Sequence, residues 1–164
     1  ELMHIINEYL AEMAEAIIGK RGLIDKFIGD AIMAFWGAPL ANRHQARDAC
    51  VAAIEMNKRL EKLNNHWQTL GLAPLAIGVG INTGEVVVGN MGSKTRWNYS
   101  VLGDEVNLAS RLEGLNKIYG KTCIVGESTK RALAGEDFLL SELLFLGLTF
   151  LGIGRVQNYL YILW

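Results

Sequence analysis

At 164 residues the chain is long enough for one domain with one sizeable core. Sixteen Lys and Arg against seventeen Asp and Glu leave a net charge of -1, which gives no electrostatic case for a nucleic-acid partner. No uncharged apolar run is long enough to span a bilayer. The two cysteines, Cys50 and Cys123, lie far apart among apolar neighbours. They read as buried reduced thiols of a cytosolic domain rather than as metal ligands or a disulfide. The chain does not open on Met. It reads as a stretch of a longer protein, in which any membrane anchor would lie outside these residues.

Residues 2 to 18 place Leu2, Ile5, Ile6, Tyr9, Leu10, Met13, Ala16 and Ile17 at steps of three and four, which predicts an amphipathic helix. Residues 24 to 37 follow as two short apolar runs joined at Gly29-Asp30, a β-hairpin signal. The second run is apolar on both faces, with Ala31, Met33 and Phe35 on one and Ile32, Ala34 and Trp36 on the other. That pattern suits a strand near the middle of a sheet covered on both sides. Lys26 and Asp30 are charged in this apolar setting. They read either as a loose ion pair at a solvent-facing turn, or as a lysine for a ligand and a carboxylate for a metal. In a regular strand Asp25 would point away from Lys26.

A helix is predicted from 45 to 65, with Ala49, Ala52, Ala53, Met56 and Leu60 inward. Residues 75 to 81 and 85 to 88 read as a second hairpin turning at Asn82-Thr83-Gly84. Gly78 and Gly80 share one face of its first strand, for close approach either of a helix or of a ligand. Residues 99 to 102 form a short strand, and Asp104 reads as the N-cap of a helix running to 119. Val106, Ala109, Leu112, Leu115 and Ile118 turn inward on that helix. Asn107 and Arg111, four apart, share a face beside the apolar stripe. They suit either a solvated surface or phosphate and ribose oxygens. A strand at 121 to 125 and a short helix at 128 to 133 complete the well-patterned part. Residues 138 to 153 carry only Glu142 as a charge, and read as a buried strand pair or a sticky surface. The mixture of hairpins and covering helices indicates an α+β fold with a largely antiparallel sheet.

Three segments carry a further signal in their order and spacing: residues 24 to 39 (IDKFIGDAIMAFWGAP), 78 to 93 (GVGINTGEVVVGNMGS) and 99 to 113 (YSVLGDEVNLASRLE). Together they resemble the class III nucleotidyl cyclase catalytic domain, in its bacterial adenylate cyclase branch. The similarity runs from about residue 2 to 137. It implies a ferredoxin-like core, N-terminally truncated here, that works as a head-to-tail homodimer with ATP bound at the interface. Asp30 would hold two Mg²⁺ or Mn²⁺ ions with a second aspartate. Lys26 and Ser100 would read the adenine. Asn107 and Arg111, from the other protomer, would orient the ribose and stabilise the transition state. The product would be cyclic AMP, and an upstream sensor domain would regulate the parent protein.

Two departures qualify the resemblance. The second metal aspartate belongs to a strand preceding the first helix, so the domain is expected to lack a central strand, to expose strand edges and to be nearly inactive alone. The triphosphate lysine of the family falls near Leu151-Gly152-Ile153-Gly154-Arg155, where Ile153 stands in its place and Arg155 is the nearby cation. Guanylate cyclase is the alternative enzyme, against which Lys26 speaks. A non-catalytic dimerisation or regulatory module is the alternative from another class.

Overall fold

The computed structural model describes residues 2–135 and, as backbone, 144–145 and 160–163. Its elements in chain order are α1 (Leu2–Ile18), β1 (Leu23–Ile28), β2 (Ala31–Trp36), α2 (Gln45–Thr69), β3 (Val79–Gly84), β4 (Val87–Ser93), β5 (Arg96–Leu102), α3 (Asp104–Tyr119), β6 (Cys123–Val125), α4 (Glu127–Ala132), β7 (Leu144–Phe145) and β8 (Leu160–Leu163). Six strands form one sheet in the order β1-β2-β8-β3-β6-β7. Neighbours are antiparallel except at β6, which runs parallel to β3 and β7. β4 and β5 form a separate antiparallel ribbon. The fold is α+β, as the residue pattern indicates.

Alternation along β2 builds two cores. Ile32, Ala34 and Trp36 pack with Met13 and Ile17 of α1 and with Ala49, Ala53 and Met56 of α2. Met33 and Phe35 face the other way, onto Val106 and Ala109 of α3 and Val101 of β5. Phe35 and Trp36 are both fully buried. α1 is held on α2 by Arg59, whose guanidinium reaches Glu12 at 2.9 Å and Glu15 at 3.0 Å. The indole of Trp67 donates to Glu8 at 2.9 Å. On α1, Leu2 is exposed, and the inward face reduces to Tyr9, Met13, Ala16 and Ile17 with Ile5 and Leu10 beside them.

The second hairpin does not form as the residue pattern predicts. β3 and β4 do not pair; Asn82, Thr83 and Gly84 are strand residues, and Asn82 and Thr83 are buried. They are held there by long-range bonds. The Asn82 amide donates to the Glu105 carboxylate, the Thr83 hydroxyl meets that of Thr129 at 2.8 Å, and Ser128 donates to the Thr83 carbonyl at 2.6 Å. The true hairpin is β4–β5, closed at Lys94 and Thr95.

Three smaller expectations change. Asp104 is the first residue of α3 rather than its cap; Gly103 precedes the helix and makes no side-chain cap bond. On α3, Ile118 is exposed and Asn116 is buried in its stead, donating to the Val79 and Glu113 carbonyls at 2.9 Å each. α2 runs four residues further than predicted, to Thr69. Gly80 of β3 and Gly78 just before it are explained by α3. A Cβ on Gly80 would lie 2.2 Å from the Ala109 carbonyl oxygen, and one on Gly78 would lie 2.8 Å from Glu113.

The centre of the sheet, where a missing strand and open edges are expected, is filled by β8. It pairs antiparallel with residues Ala34 to Trp36 on one side and Ile81 to Gly84 on the other. Residues 138 to 143 and 146 to 159, including Arg155, lie outside the described residues.

Candidate active site

The first hairpin positions three of the sequence-predicted groups. In its two-residue turn Gly29 adopts φ +64, a left-handed value that favours glycine. Asp30 follows, exposed at the turn. Upstream, the pairing of β1 with β2 slips by one residue. Ile24 faces Ala34 and Lys26 faces Met33, so Asp25 is the extra residue of a β-bulge. Bulges re-aim side chains. Here the bulge breaks the alternation that would separate Asp25 from Lys26, and the two meet at 3.3 Å.

Ser100 arrives on β5 and closes the cluster. Its hydroxyl donates to Asp25 Oδ2 at 2.6 Å and accepts from Lys26 Nζ at 3.3 Å. The Val101 N–H points to the same carboxylate oxygen at 3.4 Å. The Asp25 side chain is wholly buried, whereas that of Lys26 remains 43 % exposed. Asp25 Oδ1 has the ammonium as its ionic neighbour but no aligned hydrogen bond. A buried carboxylate without such partners would be costly. The sequence reading does not find Asp25; only the bulge, a feature of pairing, could have signalled it.

Asp30 borders a cavity of about 330 Å³ lined also by Tyr9, Ile32, Gly78 and Glu113. The cavity is lined from the start of β2 by Ala31 and Ile32, and from the residues just before β3 by Ala76, Ile77 and Gly78. Burial pushes the Tyr9 phenol up to about 12, and the negative charge of Asp30 adds to the effect. Burial also raises the Glu113 carboxyl. Among the described residues no three His, Cys, Asp or Glu side chains converge on a metal position. Mg²⁺ commonly binds through one or two carboxylates plus substrate phosphates. The hard oxygens of Asp30 therefore fit one part of such a site.

Asn107 and Arg111 stand exposed on α3. Neither side chain makes a hydrogen bond or ion pair with Lys26, Ser100 or Asp30. The chain thus brings together Lys26 and Ser100, places Asp30 at the end of the same hairpin, and leaves Asn107 and Arg111 on a separate element. Apolar side chains are exposed on the ribbon nearby: Val87, Trp97 and Leu102 are each more than 60 % accessible.

The fold as a whole has counterparts among known proteins. The family model described as the adenylate and guanylate cyclase catalytic domain matches residues 1–162, and the chain belongs to that family. It is 40% identical over 124 residues to "Adenylate cyclase 1" of Rhizobium meliloti (strain 1021), a match covering 76% of this chain and 19% of that protein. The crystal structure of the adenylyl cyclase CyaB from P. aeruginosa superposes with a TM-score of 0.76 at 37% identity, covering 82% of this chain and 69% of that one. The crystal structure of the guanylyl cyclase Cya2 gives 0.73 at 33% identity, covering 98% and 78%. The chain therefore spans about a fifth of the curated relative's length. No helix among the described residues is long and apolar enough to cross a membrane.

Proposed function

We propose that this chain is an adenylate cyclase catalytic domain, which converts ATP to 3′,5′-cyclic AMP and pyrophosphate. The observation that carries this reading is the meeting of Lys26 and Ser100, 74 residues apart in sequence, at 3.3 Å. An ammonium can only donate, whereas the glutamate of a guanine reader would accept guanine N–H groups. The Lys26 side chain is accessible enough to meet a base.

In the reaction the ribose 3′ oxygen forms a bond to the α-phosphorus. The bond from that phosphorus to the bridging oxygen breaks, pyrophosphate leaves, and the 3′-hydroxyl proton passes to solvent. Positioning and charge neutralisation dominate such transfers. Lys26 and Ser100 hold the base and so fix where the ribose lies. Asn107 hydrogen-bonds the ribose, and Arg111 meets charge growing on the phosphoryl oxygens. Asp30 would hold divalent metal, two Mg²⁺ or Mn²⁺ ions in the family pattern. These ions would supply Lewis-acid stabilisation of the phosphate charge. A pair of ions needs a second carboxylate besides Asp30.

The separation of Asn107 and Arg111 from the Lys26 cluster supports a site shared between two copies arranged head to tail. The exposed cross-strand neighbours Val87 and Leu102 support the same reading, since adjoining exposed apolar side chains mark association surfaces. The test is a cyclase assay with ATP and with GTP, in Mg²⁺ and in Mn²⁺, on this chain and on a longer form of the protein. Cyclic AMP from the longer form and little from residues 1–164 is expected. Preference for GTP would give the guanylate cyclase reading that the Cya2 likeness keeps open. No product in any condition would leave a non-catalytic module.

A further inference from the structure

We propose that Asp25 is a specificity-determining positioning residue: its buried carboxylate fixes the Ser100 hydroxyl as an acceptor towards the base, so that a side chain able to serve either purine serves only a 6-amino one. This rests on Lys26 and Ser100 being the base-contacting pair.

A serine hydroxyl has one proton and two acceptor lone pairs, and when free it rotates to suit its partner. By itself it would accept from the amino group of adenine or donate to the 6-oxo group of guanine. At Ser100 that choice is removed. An ionised carboxylate is acceptor-only, so the 2.6 Å contact with Asp25 Oδ2 uses the single Ser100 proton. The 3.3 Å contact from Lys26, which can only donate, uses one lone pair. One lone pair remains. Asp25 is in turn held on three sides, by the ammonium at 3.3 Å, by Ser100, and by the Val101 N–H at 3.4 Å. Its side chain has no exposure to water, so no solvent molecule competes for the Ser100 proton from that direction.

The pair thus presents a donor at Lys26 beside an acceptor at Ser100. Adenine offers the complement, a ring-nitrogen acceptor beside an amino donor. A 6-oxo purine in the same pose sets its carbonyl oxygen against the Ser100 lone pair and its ring N–H against the Lys26 ammonium. Sites that leave polar groups mismatched in this way discriminate strongly. The bulge is what makes the device possible, since a regular strand would turn Asp25 to the other face.

The experiment measures binding of ATP, GTP and ITP to this chain and to two variants, with circular dichroism to confirm folding. In Asp25→Asn the Lys26 ammonium draws the amide oxygen to itself and turns the NH₂ towards Ser100. The hydroxyl proton is then free to meet a 6-oxo group, and the preference for ATP over GTP and ITP should fall about tenfold. An unchanged ratio, with all three nucleotides weakened equally, would show that Asp25 only supports the fold and would overturn the proposal. Ser100→Ala is the independent arm, informative even if the first variant does not fold. Because it removes a locked acceptor, ITP should gain relative to ATP. If ITP instead loses, Ser100 donates to the 6-oxo group and the lock does not exist. A wild-type chain that binds ATP no better than GTP overturns the base-reading assignment itself, and the proposal with it. Preference for ATP that survives in both variants overturns the proposal alone.

Discussion

The backbone of Gly80 lies directly beneath the carbonyl of Ala109. A Cβ built on Gly80 would stand 2.2 Å from that oxygen and 2.4 Å from the Glu113 nitrogen. Helix α3 therefore rests on bare strand backbone, and this contact sets the height at which α3, with Asn107 and Arg111, rides over the sheet. Both atoms in the way are main chain, so neither can rotate aside.

Gly80→Ala should accordingly destabilise by about 2 kcal/mol or more, the usual range for overpacking a tight core. Gly114→Ala is the matched control, because nothing lies within 4 Å of that position on the same helix. It should be neutral or stabilise by about 0.5 to 1 kcal/mol through helix propensity. Urea unfolding of both variants checks the pair; equal losses would mean that α3 does not sit on β3 as described.

Asn107→Ala and Arg111→Ala should leave stability within about 0.5 kcal/mol, because both side chains are exposed and make no hydrogen bond or ion pair among the described residues. In a form of the protein that turns over ATP, each should lower kcat by about 10²-fold or more, the effect of losing one preorganised donor to transition-state charge. A melting curve and a cyclase assay on the same preparations separate the two effects. Large instability with a proportionate loss of turnover would make these residues structural.

Lys26→Glu should reduce ATP use more than GTP use. It should also cost stability, since the new carboxylate would face the fully buried Asp25 in place of an ammonium 3.3 Å away. Nucleotide competition assays read the first effect and thermal melting the second. Equal loss of ATP and GTP use would reduce Lys26 to a counter-ion.

The buried thiols give a pH dependence. Burial pushes Cys50 up to about 12 and also raises Cys123 well above the ordinary thiol value. Each folded thiol thus holds its proton where the unfolded one releases it. The contribution of Cys50 to stability is complete below about pH 9 and is lost as pH rises from there towards 12, at about 1.4 kcal/mol per pH unit, and Cys123 acts in the same direction. Denaturation midpoints from pH 8 to 11 should therefore fall faster in the native chain than in a Cys50→Ala/Cys123→Ala variant. Thiol reagents at pH 8 should modify both cysteines only after unfolding.

Much of this molecule is local. The 3.6-residue rhythm of residues 2 to 18 becomes α1 at the predicted bounds, because an amphipathic face finds a core wherever one forms. The two-faced apolar run at Ala31 to Trp36 becomes a strand covered on both sides. The spaced segments around Lys26, Gly78 and Asn107 were enough for the family, since each holds a cluster of chemically exacting residues close in sequence. Tertiary structure decided whatever depended on which strand lies beside which. Asn82 to Gly84 have turn-like composition, yet long-range bonds to Glu105, Ser128 and Thr129 keep Asn82 and Thr83 in a strand. β8 occupies the centre of the sheet through pairing with strands about eighty residues or more away in sequence. Asp25 looked like the idle side of a regular strand. A one-residue slip against β2 turned it inward and set it between Lys26 and Ser100, and no pattern in six residues of β1 encodes the register of its neighbour.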